Sequence, residues 1–398
     1  MSTNHYRLIK PLRALALASA AALAFGLGGC GGDSDQPSTS ASGGATTETA
    51  SSETAEASAT TETTAPAATT EETTEVAGPE LSGQIIWADY GGATNAARQA
   101  AYFDSFQAAT GVEVVSAALE ATIMYSMLEG QAGDYDAMHV GLPDVYNSLE
   151  HIIPLDAAVP RDDNLPAEAQ DYAFGSFAVG QVMAYLPDTF PDGGPQGWAD
   201  FFDTEKFPGK RALPGSGAMN GLVLEAALLA DGVAADELYP IDYDRAIAKL
   251  NSIAGDVVFF TEYPQLQQLL LSGSVAVAYG PSGQFTSLIA QGESVTVCWD
   301  QAFYSFNTIT IPEKAPNPAN IQALAAWMGD PERQADFAQR TFYGPGSAAA
   351  WDYIPEDVWD NIVTAPSHTN LILEDSKSRA TYNEEMINAY AEWLTTVG

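Results

Sequence analysis

A sharp change in composition near residue 80 decides which part of this chain can fold. Residues 31–80 contain no aromatic residue and no Leu, Ile or Met, and Val76 is their only β-branched aliphatic residue. A segment of Ser, Thr, Ala and Glu cannot bury enough apolar surface to offset the entropy lost on folding. We therefore predict a disordered tether over residues 30–80, which leaves residues 81–398 to form the fold.

The segment before this tether has the layout of an export signal. Arg7, Lys10 and Arg13 precede an apolar stretch, residues 14–27, that is too short to remain in a bilayer as a spanning helix. The stretch ends in Leu-Gly-Gly-Cys at Cys30, which resembles the lipobox of bacterial lipoproteins. That resemblance implies a signal peptide over residues 1–29 and acylation of Cys30 as an anchor on the outer side of the cell membrane. An ordinary cleaved signal with an incidental cysteine is the alternative.

The charge of residues 81–398 is strongly negative, with 42 acidic and 12 basic residues. No basic stripe is present that would neutralise phosphates, so nucleic acid is excluded as a partner. Two interpretations of the charge stay open: a well-solvated, salt-tolerant surface, or a field that attracts cationic solutes.

Short apolar runs alternate with helical periodicity along residues 81–398, which is typical of an α/β fold. The segment is too long for one core, so we expect two lobes. The predicted strands are 84–88, 112–116, 136–140, 257–260 and 274–279. The predicted helices include 122–129, 144–151, 218–230, 242–253 and 264–271, and a terminal helix with a core stripe of Met386, Tyr390, Trp393 and Leu394. Ligands of such sheets lie beyond the carboxyl ends of strands, here the turns 89–92, 117–120 and 141–144.

Enzyme classes find little support in the sequence. There is no Gly-x-Ser-x-Gly elbow, no phosphate-binding loop and no His-Glu-x-x-His. His139, His151 and His368 share no metal-ligand spacing, so we predict no metal and no cofactor. Because Cys30 is assigned to the anchor, Cys298 has no disulfide partner and is expected to be a buried small side chain in a strand over 294–299. A secreted hydrolase is the least favoured alternative.

Several longer motifs carry a family resemblance. They are Trp-Ala-Asp-Phe-Phe-Asp at 198–203, Lys-Phe-Pro-Gly-Lys-Arg-Ala at 206–212, Leu-Leu-Ala-Asp-Gly at 228–232, Leu-Tyr-Pro-Ile-Asp-Tyr-Asp-Arg-Ala at 238–246, Pro-Glu-Arg-Gln-Ala at 331–335 and Tyr-Gly-Pro at 343–345. Together they resemble the extracellular solute-binding proteins of ABC importers, in the spermidine/putrescine-type branch, over essentially all of residues 81–398.

The resemblance implies an α/β fold of the periplasmic-binding-protein type II, with two lobes that close on a ligand in the cleft between them. It places the first lobe at 81–183 plus 280–328 and the second at 186–277 plus 330–398. The chain would cross between the lobes near 182–186, 277–280 and 327–331. It also implies a monomer that is no enzyme and that delivers a small polar solute to the permease subunits in the membrane.

The ligand residues of the family match this sequence only in part. Trp87 and Tyr90 fit a Trp-x-x-Tyr pattern after the first strand, where polyamine binders stack the ligand on rings, and Asp89 is a possible charge partner. Tyr279 stands where the family places a cleft aromatic. Trp299 and Asp300 follow the next strand and offer a ring and a carboxylate. A purely structural role is the alternative for each of these rings.

Two departures put a polyamine ligand in doubt. The loop 214–220 lacks the carboxylates that polyamine binders carry there, and Gly-Leu-Pro-Asp at 141–144 replaces a family aromatic, although Asp144 restores an acid nearby. An ammonium group without a carboxylate is costly in a closed cleft. A polyamine or related amine is the favoured solute, with an amino acid derivative or an organic acid as the alternative. An anionic solute would instead use the N–H groups of Gly91, Gly92 and the loop 215–217.

Overall fold

The computed structural model describes residues 81–219 and 221–397. The predicted signal peptide, Cys30 and the tether lie outside these ranges. No helix within them is both long and apolar enough to cross a bilayer.

The first half of the described chain alternates strands and helices, as the apolar pattern predicts. A π-helical turn, Gln99–Phe103, joins the first two helices. The elements are β1 (Gln84–Asp89), α1 (Gly92–Arg98), α2 (Asp104–Thr110), β2 (Glu113–Ala118), α3 (Ala121–Leu128), β3 (Ala137–Gly141), α4 (Leu142–Asn147), β4 (Phe174–Tyr185), α5 (Trp198–Phe201) and β5 (Arg211–Pro214).

The second half continues the alternation and ends in helices. Its elements are α6 (Val223–Ala230), α7 (Tyr243–Asn251), β6 (Val257–Phe260), α8 (Tyr263–Leu271), β7 (Val277–Pro281), α9 (Ser282–Ala290), β8 (Thr296–Thr310), α10 (Pro318–Met328), α11 (Pro331–Thr341), β9 (Gly344–Pro345), β10 (Ile372–Leu373) and α12 (Ser376–Val397). Helix α6 begins later than predicted, because residues 217–219 form a separate 3-10 turn before it. Asp242 caps α7, since its carboxylate accepts a hydrogen bond from the Arg245 N–H.

The strands form one mixed sheet in the order β2-β1-β3-β8-β4-β7-β5-β6. β1, β2 and β3 are parallel to one another, as are β5, β6 and β7. The long strands β4 and β8 pair antiparallel in the middle and join these two parallel groups. Long strands shared by two parallel groups produce the two-lobed α/β fold of the periplasmic-binding-protein type that the sequence predicts.

Each parallel group has its own hydrophobic core. The first core gathers apolar side chains of β1, α1, α2, β4, α10 and α11, including Trp87, Phe106 and Phe337. Around the second group, one cluster joins α5, α6, α7 and α12, and another joins β6, α8 and α9. The predicted stripe of α12 belongs to the second group, with Met386, Tyr390 and Trp393 almost fully enclosed.

The packing moves two of the expected lobe boundaries. Helix α9, expected in the first lobe, buries Phe285 and Leu288 against Leu266 of α8 in the second. Helices α10 and α11, on either side of the expected crossing at 327–331, both pack in the first core through Met328 and Phe337. The chain passes to the second lobe only after β9, by way of β10, which pairs with β8. A resemblance places motifs well but does not say which core a helix packs against.

Both crossing strands are interrupted by bulges. In β4, an extra residue lies between the pairs Phe174 with Ile309 and Phe177 with Asn307. In β8, the two-residue step from Gln181 to Met183 on β4 is matched by the five-residue step from Phe303 to Cys298. Gln301 lies inside this second bulge with a φ of 58°, in the left-handed region. Bulges bend and twist a strand, so the two interruptions bound a short regular segment between the lobes.

Cys298 lies in β8 and is 5% exposed, which confirms the expected buried small side chain. Its thiol donates a hydrogen bond to the carbonyl of Pro195, and burial raises its pKa to about 12. The thiol is therefore protonated and unreactive at neutral pH.

Candidate functional site

The strand directions bring the carboxyl ends of the two parallel groups toward each other. β4 runs from the first core to the second, and β1, β2 and β3 run in the same direction as β4. β5, β6 and β7 run in the opposite direction. The turns after both groups therefore face the middle of β4. Because ligands of such sheets bind beyond the carboxyl ends of strands, this region is the candidate cleft.

The floor of the cleft is the regular segment of the two crossing strands. Phe177, Val179 and Gln181 alternate along β4 and so point to one face. Asn307 and Ser305 of β8 pair directly with Phe177 and Val179, which places them on the same face. Val179, Gln181, Ser305 and Asn307 are partly exposed, as expected of a cleft floor.

Asp144 provides a carboxylate on the first-lobe wall. It is the third residue of α4, and its side chain accepts a long 3.4 Å hydrogen bond from the Gly141 N–H. Burial raises the pKa of Asp144, and that single hydrogen bond opposes the shift only in part. No Lys or Arg of the described residues forms an ion pair with Asp144. A half-buried carboxylate without a cation is suited to receive one from a ligand.

Two tyrosine rings lie beside this carboxylate. Tyr90 is 69% exposed and Tyr125 is 53% exposed, yet burial and the charge of Asp144 raise the pKa of both, to about 12 for Tyr125. High exposure together with desolvation indicates rings that are open to solvent inside a concave surface. Tyr90 was expected as a ligand residue and remains a candidate, while Tyr125 did not stand out in the sequence.

Trp87 and Asp89, expected as ligand residues, have buried roles instead. Trp87 is 0% exposed and packs edge-on against Phe103, so the apolar alternative holds for this ring. Asp89 is 2% exposed and forms an ion pair with Arg98 at 2.8 Å. The indole N–H of Trp87 also donates to Asp89, at 3.1 Å. The spacing of Trp87 and Tyr90 matches the family pattern, but the alternation of side chains along β1 directs the ring of Trp87 into the core.

The rings of His139, Phe177 and Tyr343 form a row along the floor of the cleft, beginning beside the buried Asp89–Arg98 pair. His139 contacts Tyr90 at 5.1 Å and Phe177 at 5.5 Å between ring centroids, and Phe177 stacks on Tyr343 at 4.9 Å. Burial and the charge of Arg98 lower the pKa of His139 to about 3, so its imidazole is neutral. Its Nδ1 faces the Arg98 guanidinium, which leaves Nε2–H to donate to Asn307 at 3.2 Å.

The second-lobe wall encloses a cavity of about 120 Å³ at the carboxyl ends of β5, β6 and β7. Its lining residues include Gln181, Met219, Tyr263 and Tyr279, and none of the lining residues in the described chain is charged. Tyr279 was expected as a cleft aromatic but is 1% exposed, and its hydroxyl accepts a hydrogen bond from the Leu222 N–H. It therefore supports the wall from behind, whereas Tyr263 is 38% exposed.

Trp299 and Asp300 lie away from the cleft, in the bulge of β8. Trp299 stacks on His368 at 4.7 Å and donates its indole N–H to the carbonyl of Asp360. Asp300 accepts a hydrogen bond from Asn370 at 2.6 Å. The expected site positions assume a regular strand, and the extra residues of the bulge turn these side chains toward the segment that precedes α12.

The backbone groups expected for an anionic ligand are partly occupied. The Gly91 N–H donates to the Asp89 carboxylate at 2.7 Å, and the Gly215 N–H donates to the carbonyl of Phe260 at 2.7 Å. Within the described residues, no group of three or more His, Cys, Asp or Glu side chains could hold a metal ion.

Sequence reasoning missed several residues of the cleft, namely Tyr125, His139, Phe177, Gln181, Tyr263 and Tyr343. The alternation of β4 contained a signal for two of them, because Phe177 and Gln181 share a face with half-exposed Val179. The rings of Tyr263 and Tyr343 gave no such signal, since their place depends on how distant helix ends meet.

Comparisons with known proteins agree with this architecture. The family described as bacterial extracellular solute-binding protein matches residues 44–365. The γ-aminobutyric acid-binding protein of Pseudomonas aeruginosa is 27% identical over 317 residues, covering 76% of this chain and 89% of that protein.

Two solved structures share the fold. The structure of the Atu4243–GABA receptor superposes with a TM-score of 0.70 at 27% identity, over 78% of this chain and 97% of that one. The spermidine/putrescine ABC transporter substrate-binding protein PotD of Streptococcus pneumoniae superposes with a TM-score of 0.63 at 15% identity, over 80% of this chain and 100% of that one. At 15% identity, this second likeness concerns the fold alone.

Proposed function

Because the chain belongs to the bacterial extracellular solute-binding proteins, which deliver small solutes to ABC permeases, we propose that its own solute is 4-aminobutyrate or a closely similar ω-amino acid. This family serves transport and is not an enzyme family. The observation that carries the proposal is the carboxylate of Asp144, which forms no ion pair among the described residues and lies near two accessible tyrosines, while the lining of the second-lobe cavity is uncharged.

The ammonium group of the solute binds at Asp144. A carboxylate whose pKa is raised by desolvation is stabilised most by a cation, because the cation replaces the stabilisation of the negative charge that water no longer provides. Tyr90 and Tyr125 offer ring faces beside it, and an ammonium over such a face gains about 0.5 to 2 kcal/mol.

The other end of the solute binds at the second-lobe wall. Gln181 has an amide for which no hydrogen bond is found among the described residues, and Tyr263 brings a phenol to the same cavity. Both groups donate hydrogen bonds to a carboxylate. A diamine would place a second ammonium here, where the described lining holds no acid to pair with it. The names of the relatives that bind γ-aminobutyric acid support the same choice.

A solute that contacts both lobes favours the closed form of the protein. A ligand shifts the equilibrium between open and closed forms only by its difference in affinity for the two. An ω-amino acid that reaches from Asp144 to Gln181 has its full set of contacts only when the lobes are close. The closed form is then the state that the permease receives.

A solute panel tests the proposal directly. Calorimetric titration of the purified protein should show binding of one 4-aminobutyrate, weaker binding of putrescine, and no binding of butyrate, which lacks the ammonium. Bound solute should also raise the melting temperature, since a hundredfold excess over Kd stabilises a protein by about 2.7 kcal/mol. Equal binding of butyrate and 4-aminobutyrate would contradict the assignment of the ammonium site.

The role of Asp144 is tested by Asp144→Asn, which keeps the size of the side chain and removes its charge. We expect the affinity for 4-aminobutyrate to fall by about tenfold or more, because a charge-assisted contact is worth about 1.5 to 3 kcal/mol. Asp236→Asn is the matched control, since Asp236 is exposed on the turn before α7. An unchanged Kd in Asp144→Asn would place the ammonium elsewhere.

A further inference from the structure

Tyr343 lies where the two lobes meet. It follows α11 and stacks on Phe177, so its ring belongs to the first lobe. Across from it, Gly283 lies in the first turn of α9, which packs in the second lobe. A Cβ added at Gly283 would lie 3.1 Å from Cε1 and 3.3 Å from the hydroxyl of Tyr343. The ring therefore lies close to the backbone of the opposite lobe, and a methyl group at residue 283 would fit only if the ring or the helix shifted by a few tenths of an ångström.

The position of this ring is held from both sides. Phe342, the residue before it, ends α11 in the left-handed region with a φ of 58°, which is unusual for an aromatic residue. The residues after it form β9, whose Gly344 and Pro345 pair with Ala178 and Phe177 of β4. A side chain fixed between a strained helix end and a paired strand has little freedom to move aside.

The ring borders two spaces. It lies beside the cleft floor at Phe177 and is close enough to Tyr263 of the second-lobe wall to contribute to the raised pKa of that residue. It also lines a groove of about 510 Å³ between α1 and α9, together with Thr94 and Gln284.

We propose that Tyr343 and Gly283 form an interlobe stop that sets how far the lobes close and limits the length of solute that the cleft accepts. This inference rests on the proposed function for its choice of probe. The ring ends the cleft at Phe177, and the absent side chain at Gly283 lets the second lobe reach the ring.

The test of closure is Gly283→Ala, because the added methyl holds the ring and the helix apart. We expect the affinity for 4-aminobutyrate to fall by about tenfold or more, with an unchanged melting temperature of the solute-free protein. Gly255→Ala is the matched control, since no atom lies within 4 Å of a Cβ at that exposed glycine. In the double variant with Tyr343→Ala, the added methyl should cause no further loss. Losses that simply add would overturn the contact.

The test of solute length is Tyr343→Ala, with Tyr343→Leu as a second variant that keeps apolar packing on Phe177. In both, the ratio of affinities for 6-aminohexanoate and 4-aminobutyrate should rise by about tenfold, since two further methylenes find room in the groove. Tyr343→Phe keeps the ring and should keep the wild-type ratio. An unchanged ratio in a folded Tyr343→Leu would overturn the length limit.

The contact is also measured without solute. Spin labels at Ala109→Cys of α2 and Ala248→Cys of α7, in a Cys30→Ala background, report the distance between the lobes, and the buried Cys298 should remain unlabelled. Gly283→Ala should lengthen this distance, and an identical distribution would overturn the stop. If the wild-type protein binds no ω-amino acid, the proposed function fails while this measurement still decides on the contact.

Discussion

Asp89 and Asp144 lie at the ends of neighbouring strands, but their surroundings differ. Burial alone would raise the pKa of Asp89, yet the hydrogen bond from Asn95 and the charge of Arg98 outweigh it and lower the pKa. Among the described residues no cation pairs with Asp144, and burial raises its pKa. The charge of Asp89 is therefore compensated within the protein, whereas Asp144 has only the hydrogen bond from the Gly141 N–H.

Removing the charge of Asp89 should damage the fold. In Asp89→Asn, the guanidinium of Arg98, which is 1% exposed, loses its charge partner. Breaking such a buried pair costs about 3 to 5 kcal/mol, so the free energy of unfolding in urea should fall by this amount. Asp336→Asn removes the partner of Arg340 in a half-exposed pair and should cost less than about 1 kcal/mol. Equal losses in the two variants would show that Asp89 is not a structural residue.

The raised pKa of Asp144 predicts how binding depends on pH. Only the ionised carboxylate pairs with an ammonium, so affinity should be full above this raised pKa and fall as the pH drops through it. The measurement is the Kd of 4-aminobutyrate between about pH 7 and pH 4, the interval above the ordinary Asp pKa of about 3.9 in which a raised pKa would be detected. The carboxylate of the solute also titrates there, so the contribution of Asp144 is the difference between wild type and Asp144→Asn. Parallel pH profiles would exclude this carboxylate from the site.

At the scale of elements, periodicity predicts what a regular helix or strand determines. The stripe of α12 follows helical spacing, and Met386, Tyr390 and Trp393 are buried as expected. Strand alternation also places Cys298 in the core. The same reasoning fails at Trp299 and Asp300, because a bulge adds residues that no alternation records. The lobes of α9 and α11 were expected from the family resemblance, and periodicity could not have corrected them, since similar apolar stripes fit either core.

The candidate cleft is lined mainly by residues at the ends of strands and helices, and this is why the sequence predicted its residues only in part. Tyr90 directly follows β1, and Asp144 lies in the first turn of α4 just after β3, so the rule of carboxyl ends finds them. Trp87 fits the family spacing but lies inside β1, where its ring is buried in the hydrophobic core. Tyr263 and Tyr343 come from helix ends far apart in sequence, and only the packing of the lobes brings them together.

Helix α12 is fixed to the second lobe by a buried charge network. Arg379 is paired with Glu225 at 2.7 Å and with Glu374 at 3.4 Å, and all three side chains are largely enclosed. Arg379→Met would leave two buried carboxylates facing each other, so we expect a loss of about 3 to 5 kcal/mol in urea unfolding. Arg245→Met removes an exposed partner of Asp231 and should change stability by less than about 1 kcal/mol. A small loss in Arg379→Met would show that apolar packing alone holds the helix.

At the scale of the whole molecule, the candidate cleft is built from residues of 81–219 and 221–397, while the proposed attachment to the cell depends on residues before them. A flexible chain of about fifty residues has a root-mean-square span of roughly 40 Å. The sequence predicts such a tether over residues 30–80, where ten acidic residues without any Lys or Arg favour an extended chain.

Two variants of the full chain test the anchor and the tether separately. If Cys30 carries the acyl chains, Cys30→Ala should move the protein from the membrane fraction to the medium, because two or more chains are needed for stable attachment. Deletion of residues 35–75 should leave it in the membrane fraction, with an unchanged melting temperature and an unchanged Kd for 4-aminobutyrate, since a segment without aromatic or large aliphatic side chains has little to pack on the domain. Retention of Cys30→Ala in the membrane fraction would refute the anchor. A shift of several degrees in the melting temperature of the deletion variant would instead show that the tether binds the folded part. The two results are independent, because one variant changes a single thiol and the other changes only the length of the chain.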